Sequence, residues 1–441
     1  WIINGDPGFD VWAMDVSRFG EYATMQFTNA RVRENYARRF SIRYPNEELQ
    51  AARPLITTPI YHKQKQAGAQ FGAAFGLEIP LWYAPNGISD VFSWRRSTDF
   101  DHVGDETRAV RDSVGLGDIS GFAKYRVTGR SAVGWLDRIL ACKMPPVGRM
   151  VLAPMLKHDG KIIGDFSLAR LAVDDFLIIG SGIAESYHMR WFLAHASGVD
   201  DLRIDPLGQN LVGLTLAGPK SREVLQSCTN TEISHEHMRF MAIKKMEIGM
   251  VPAIVGRVSY TGDLGYEIWV APAYLNILFD HFMKAGAPHN IRLFGSRALN
   301  ALRLEKNYGS WGREYRPVYG PVETGLDAFV AYDKPANFIG KAGALRELES
   351  GGKMRLCSFI IEAKDADVIG DEPISHNGSV VGWVTSGGNA HGAGKSMAQG
   401  YVPKDIANDD SGWSVELLGE NLVAKRQKFP LFDANSSRMR S

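Results

Sequence analysis

The 441-residue chain is 45% hydrophobic, enough for two to four domains with real cores, and its 50 Lys and Arg nearly cancel 49 Asp and Glu. That balance argues against nucleic acid or an anionic membrane as partner, and no apolar run approaches the length of a membrane span. Three widely separated cysteines, Cys142, Cys228 and Cys357, form no CxxC pair and suggest a reducing compartment without a disulfide framework. Trp1 is not an initiator residue, so a processed or truncated chain is expected.

Residues 1–85 are aromatic, Pro-punctuated and mixed in charge, a connector that wraps something and carries no catalytic pattern. The spacing of Val32, Tyr36 and Phe40 predicts a helix over 31–44 stopped by Pro45, and 61–75 reads as another. From about Asp105 the pattern becomes α+β. Helix 106–114, strand 123–127, helix 131–140, a hairpin, strand 176–179 and a helix through about His195 follow. The order then begins again: strand 211–216, helix from Ser221, strands 244–248, 253–260 and 266–270, and helix 274–284. Thr128-Gly129-Arg130-Ser131 and Ala217-Gly218-Pro219-Lys220-Ser221 are alike, each passing from strand through Gly into helix. Two related α+β units are expected. After Gly340-Lys341 the grammar changes to short strands at 356–361, 379–384 and 414–418, with Asn377-Gly378 a hairpin turn. A small antiparallel barrel or sandwich fits.

Two stretches imitate nucleotide motifs. Gly180-Ser181-Gly182 follows a strand, but Glu185 replaces the third Gly of a dinucleotide fingerprint. Residues 387–396 end in Gly394-Lys395-Ser396, yet Asn389 stands where a phosphate loop needs Gly. The eleven histidines are scattered, and no Cys/His cluster supports a metal.

Three stretches could carry chemistry. His158-Asp159-Gly160 is a tight turn leading into Ile162–Ala169, with Ile162, Gly164, Phe166 and Leu168 on one face and Ile163, Asp165, Ser167 and Ala169 on the other. Asp is depleted in strands, so Asp165 is either on a solvated face or held toward a pocket. In Tyr260-Thr261-Gly262-Asp263-Leu264-Gly265-Tyr266-Glu267, a Gly-rich turn feeds a strand whose Glu267 and Trp269 oppose Tyr266, Ile268 and Val270. A carboxylate beside an aromatic wall suits a flat heterocycle with paired N–H donors; a surface Glu on an amphipathic strand is the alternative. After Leu302-Arg303-Leu304-Glu305, Tyr308 and Trp311 fall on a Gly-rich loop suited to ring stacking or to simple packing.

These motifs, with Phe338-Ile339-Gly340-Lys341 and the C-terminal Gly382-Trp383-Val384-Thr385-Ser386-Gly387-Gly388 and Gly400-Tyr401-Val402-Pro403, occur in this order in the folate-binding aminomethyltransferase family. The resemblance covers roughly residues 86–435. It is nearest to the C-terminal half of dimethylglycine and sarcosine dehydrogenases, to which Trp1–Pro7, 52–55, 93–97 and 120–125 are also similar. It implies a three-lobed cloverleaf: a connector of a missing FAD oxidoreductase domain (1–85), two α+β units (about 86–204 and 205–340) and a C-terminal β-barrel domain (341–441). It also implies tetrahydrofolate as cofactor, Asp165 as the catalytic carboxylate near the reactive folate nitrogens, and Glu267 gripping the pteridine. Tyr260, Tyr308 and Trp311 would line the same site. The family's free T-protein has Arg where Leu299 stands here, which favours the dehydrogenase branch.

The flavin fingerprint is absent from these residues, so FAD is expected only on a missing half or partner chain. The implied reaction captures the methylene group of an N-methylated amino acid, or its iminium, as 5,10-methylenetetrahydrofolate. A folate-dependent demethylase and a non-catalytic folate-binding assembly domain are the rival readings. The family's setting would be the bacterial cytoplasm or the mitochondrial matrix.

Overall fold

The computed structural model describes residues 11–441; the Trp1–Pro7 stretch lies outside the described residues. In the first α+β unit, strand Ala123–Thr128 leads through Gly129 to helix Ala132–Ile139. Strands Arg149–Leu156, Ile162–Ala172 and Asp175–Gly180, helix Glu185–Ala196 and strand Arg203–Pro206 follow. The second unit repeats the plan: Val212–Ala217, Gly218, helix Ser221–Ser227, strands Ile243–Ile248, Val251–Gly256 and Gly265–Val270, helix Leu275–Gly286 and strand Arg292–Leu293. The spatial order of strands also repeats, with Gly115–Asp118 inserted between the last two members of the second sheet. The junctions match bond for bond. Gly129 and Gly218 donate to the Asp174 and Leu264 carbonyls, and each accepts from the amide three residues on, at 2.9 and 3.0 Å. Both glycines sit at positive φ, 112° and 122°, where a side chain would be strained.

Each sheet turns one face to its own helices. Tyr266, Ile268 and Val270 pack with Leu275, Leu278 and Phe282, and Phe166, Leu168 and Phe176 pack with Leu136 and Phe192. The other faces meet in a shared core of Met150, Ala169, Leu177, Ile179, Ile243 and Trp269. Each large apolar side chain buried there contributes about 1.5–3 kcal/mol, so the two units are held firmly together.

Strict alternation fails at one point in the Asp165 strand. Leu156 opposes Ile162 but Met155 opposes Gly164, so Ile163 is the extra residue of a bulge. Ile163, not Ile162, therefore joins Phe166 and Leu168, while Ile162 turns toward Leu156 and Trp311. Asp165 keeps its expected face.

The amino-terminal expectations shift. The first long helix spans Met25–Ala37, capped by Thr24, and ends well before Pro45. Only Tyr61–Gln66 of the next predicted helix is helical; Ala69–Ala74 and Leu77–Tyr83 form a hairpin instead. Ile60 and Trp82 are buried in cores shared with the second unit.

Residues just beyond Gly340 are helical, Lys341–Ser350, rather than short strands. A Cβ at Gly343 would lie 2.1 Å from the Asp159 carbonyl, so this helix is pressed against the turn that precedes the Asp165 strand. Beyond it, Met354–Ile361, Pro373–His376, Ser379–Ala390, Lys395–Pro403, Trp413–Leu417 and Glu420–Gln427 close a six-stranded barrel. The expected Asn377-Gly378 turn joins two of them, and the phosphate-loop imitation is the tip of another hairpin. Among the described residues no helix is long and apolar enough to cross a membrane.

A buried ion pair ties these lobes. Arg303, on helix Ser296–Glu305, donates through Nη1 to Glu314 Oε2 at 3.2 Å, Gln399 Oε1 at 2.8 Å and the Tyr308 carbonyl at 2.9 Å. Glu314 Oε1 accepts from the Thr385 and Ser386 hydroxyls on the barrel, and Tyr401 donates to the Glu314 carbonyl. Arg303 and Glu314 are both buried. Arg303→Met should lower stability by about 3–5 kcal/mol in urea titrations, because it strands a buried carboxylate. A loss below about 1 kcal/mol would mean that the hydroxyls alone satisfy Glu314.

Candidate active site

The two sheets place their sequence-predicted carboxyls on the faces turned toward each other, beside the shared core. From Thr261 to Val270 every residue is buried except Glu267, which is half-buried. From Ile162 to Ala169 only Asp165 and Ser167 share that status. Tyr260 and Tyr308 are half-buried as well. Protein encloses both carboxyls, yet each keeps some accessible surface.

The groups around Asp165 come from three parts of the chain. Its field reaches Tyr260, on the turn after strand Val251–Gly256, and Tyr315, on the loop that follows Arg303. Tyr260 stacks on Tyr308 with ring centroids 6.0 Å apart and planes inclined by 23°. The Tyr260 hydroxyl donates to the Gly309 carbonyl at 2.5 Å, which fixes the ring. The Gly309 amide in turn donates to the Tyr315 hydroxyl at 3.3 Å.

Burial, reinforced by the negative charge of Glu314, pushes the Asp165 carboxyl up to about 8. Burial likewise raises Glu267 to about 7, partly offset by a hydrogen bond from the Trp269 side chain. Behind Trp269 lies Lys124, a buried ammonium 5.6 Å from the indole ring, which donates to the Ser120 carbonyl at 2.8 Å. Burial lowers Lys124 to about 8 against the opposing pull of Glu185. Two carboxyls that can hold or release a proton near neutrality, beside fixed aromatic rings, are equipped for proton transfer on a flat ligand.

The structure thus groups Asp165, Tyr260 and Tyr308, and places Glu267 on the facing sheet. Trp311 behaves differently. It is buried against Leu156, Ile162 and Tyr315, 5.0 Å from the buried His188 ring, and belongs to the packing layer behind the site. Glu314, Tyr315 and Lys124 had no assigned role from sequence. Glu314 closes the same aromatic, Gly-rich stretch as Trp311, but nothing local distinguishes it from a surface acid.

Residues 60–334 match the family model described as the GCVT N-terminal domain. The chain belongs to the glycine cleavage T-protein family. Residues 354–433 match the glycine cleavage T-protein C-terminal barrel domain, and residues 4–58 the FAD dependent oxidoreductase central domain. Mitochondrial dimethylglycine dehydrogenase of Homo sapiens is 34% identical over 444 residues, covering 100% of this chain and 51% of that protein. The 4-methylaminobutanoate oxidase (formaldehyde-forming) of Paenarthrobacter nicotinovorans is 30% identical over 450 residues, with 100% and 54% covered. The chain spans about half the length of these curated relatives. The crystal structure of glycine cleavage system aminomethyltransferase T from Bartonella henselae shares the fold, with a TM-score of 0.75 over 86% of this chain and 99% of that one at 24% identity. As a T-protein family member the chain carries an aminomethyltransferase-type domain with its barrel.

The raised carboxyls have a thermodynamic consequence. Between the ordinary Asp value of 3.8 and about 8, folded Asp165 holds a proton that the unfolded chain has lost. Stability therefore falls as pH rises through that window, and levels off above it. Asp165→Asn cannot ionise and removes this loss. Relative to the parent protein, the variant should gain about 1–2 kcal/mol between pH 5 and pH 9, after allowance for the carboxyl's residual contact with water. Urea midpoints at the two pH values measure it, and a parent–variant difference independent of pH would contradict the burial of this carboxyl.

Proposed function

We propose that this chain is a tetrahydrofolate-dependent one-carbon transfer module. It would capture the methylene group from oxidation of an N-methylated amino acid, of dimethylglycine or sarcosine type, as 5,10-methylenetetrahydrofolate. A flavin-binding oxidoreductase half, on the same or another polypeptide, would produce the iminium. The observation that carries this reading is Asp165: a proton-holding carboxyl on a rigid strand, beside the Tyr260–Tyr308 wall. Membership in the T-protein family and the match of residues 4–58 to an FAD dependent oxidoreductase central domain support it.

The residues present fit a reduced pterin. Glu267 offers two oxygens to a pair of ring N–H donors, and its half-buried state keeps them reachable without surrounding water. Tyr260, oriented by its hydrogen bond to the Gly309 carbonyl, and Tyr308, whose hydroxyl donates to Met439 Sδ at 3.6 Å, supply ring faces. Tetrahydrofolate, when bound, supplies the nucleophilic nitrogens that accept the one-carbon unit. Asp165 would stabilise positive charge at the reacting carbon and take up or return a proton at its carboxyl oxygen, as its proton affinity near neutrality allows. The apolar core between the sheets keeps bulk water from the reacting carbon, which limits escape of formaldehyde.

Glu267→Gln should weaken tetrahydrofolate binding roughly ten- to a hundredfold by calorimetry, since an amide offers a donor to the ring's donors. An affinity within about twofold of the parent would take Glu267 out of the folate site.

Asp165→Asn preserves shape but removes the ionisable group. Folate should still bind within a few-fold, while methylenetetrahydrofolate formation, with the flavin half and a methylated amino acid present, falls about a hundred- to ten-thousandfold. Free formaldehyde should appear instead. An unchanged ratio of trapped to free formaldehyde would remove Asp165 from the mechanism, and 5-methyltetrahydrofolate as product would overturn the reaction itself.

A further inference from the structure

A wholly buried titratable side chain takes no part in the proposed chemistry. His188, on helix Glu185–Ala196, lies inside the first unit, with the rings of Phe166, Trp311 and Tyr187 centred 4.8, 5.0 and 5.7 Å from its own. Its Nε2 stands 2.9 Å from the Ile163 carbonyl oxygen. A carbonyl only accepts, so Nε2 carries the proton and Nδ1 is the lone-pair nitrogen. Among the described residues that Nδ1 has no hydrogen-bond partner. Burial pushes the pKa down from 6.5 to about 3, so the ring is neutral. An orphaned buried acceptor costs free energy, and an apolar side chain would fill the same ring-lined space without that cost. What the imidazole adds is one donor, aimed at one carbonyl.

That carbonyl belongs to the extra residue of the bulge, just before Gly164 and Asp165. A bulge disrupts the ladder locally, so groups from outside the sheet can hold it. Here two do. His188 donates to the Ile163 carbonyl, and the Ile162 amide donates to the Tyr319 carbonyl at 2.9 Å. The imidazole also lies against the next residue: a Cβ on Gly164 would stand 3.2 Å from His188 Nε2. The bulge sets the phase of the strand beyond it. Were the Leu156–Ile162 register carried straight on, Asp165 would oppose Ala153 instead of Pro154, and alternate side chains would exchange faces. The counterpart hairpin of the second unit, Ile243–Ile248 with Val251–Gly256, pairs in one register throughout. The irregularity accompanies the carboxyl.

We propose that His188 is a positioning residue for Asp165: its Nε2–H pins the bulge at Ile163, and the pinned bulge fixes the direction in which the Asp165 carboxyl points. The inference rests on the catalytic role proposed for Asp165. It assigns His188 no proton transfer and no contact with folate. A helix behind the sheet thereby acts on the site through one hydrogen bond and a short run of strand.

The test measures methylenetetrahydrofolate formation with the flavin half and a methylated amino acid present, and tetrahydrofolate affinity by calorimetry. His188→Leu removes the donor and keeps an apolar filling. It should bind tetrahydrofolate within about threefold of the parent. Its rate of methylenetetrahydrofolate formation should fall about ten- to a hundredfold, the cost of an ångström-scale misplacement of a reacting group. His188→Gln, whose amide nitrogen can stand where Nε2 stands, should keep at least about a third of the parent rate. In an Asp165→Asn background, His188→Leu should cost no more than about twofold further, because no carboxylate is left to aim. A parental rate in His188→Leu, or an equal loss with and without Asp165, overturns the proposal. So does a loss in His188→Gln as large as in His188→Leu. If the leucine variant does not fold, the glutamine variant decides alone, and a rate below its stated threshold overturns the proposal. Asp165→Asn by itself reports on the proposed function: an unchanged ratio of trapped to free formaldehyde there removes the catalytic carboxyl, whatever His188 does.

Discussion

The Arg303–Glu314 pair is the constraint on which this structure turns. Charges taken out of water are costly, and a buried pair is tolerated only when further hydrogen bonds satisfy both members. Here those partners are distributed: the Tyr308 carbonyl on the loop, Gln399, Thr385 and Ser386 on the barrel, and Asn300 on the helix itself. The geometry is satisfied only when the helix of the second unit, the aromatic loop and the barrel are all in place. The same carboxylate also reaches the first unit through its field, since its charge adds to burial in raising the proton affinity of Asp165. One ion pair thus links assembly of the lobes to the proton state of the candidate site.

Around that knot, polarity is rationed by position. The strands bearing Asp165 and Glu267 are otherwise packed on both faces, on one side by their own helices and on the other by the opposite sheet. Asp165 and Glu267 keep part of their surface accessible in this setting, as do Tyr260 and Tyr308 beside them. Burial then acts on the two carboxyls in the same direction, toward the protonated form, and among the described residues no lysine or arginine pairs with either. Arg303 is engaged with Glu314, and Arg111 with Glu305, so the nearby guanidiniums are spent on architecture.

Much of this was legible from residue patterns, and the failures have physical causes. Period-two alternation separated Glu267 and Trp269 from Tyr266, Ile268 and Val270 correctly, because both faces of that strand are buried against regular neighbours. It misassigned Ile162 and Ile163, because a bulge depends on the partner strand and leaves no trace in its own. The spacing of Val32, Tyr36 and Phe40 suggested a helix with the wrong limits, since among the described residues no core buries any residue of that helix and the Thr24 cap sets its start. Tyr308 and Trp311 looked alike on their Gly-rich loop. Their fates diverge because Tyr308 meets Tyr260 while Trp311 meets Leu156 and Ile162, residues far away in sequence. Glu314 was unreadable for the same reason: everything that makes it matter comes from other segments.

The repeated strand order permits a residue-by-residue comparison of the two units. Aligned through their pairings to the strands before Gly129 and Gly218, Glu267 corresponds to Leu177, which lies in the apolar contact between the sheets. Carried one strand further, Asp165 corresponds to Pro252, an exposed residue. The scaffold is doubled, but the chemistry is not. Each unit contributes one of the two carboxyls, at a place where its counterpart carries a group that cannot ionise. Neither unit holds both carboxyls by itself, and a chain that lost either would keep a well-formed sheet with half a site. Symmetry here supplies the frame, and its breaking at two positions supplies the polarity between the sheets.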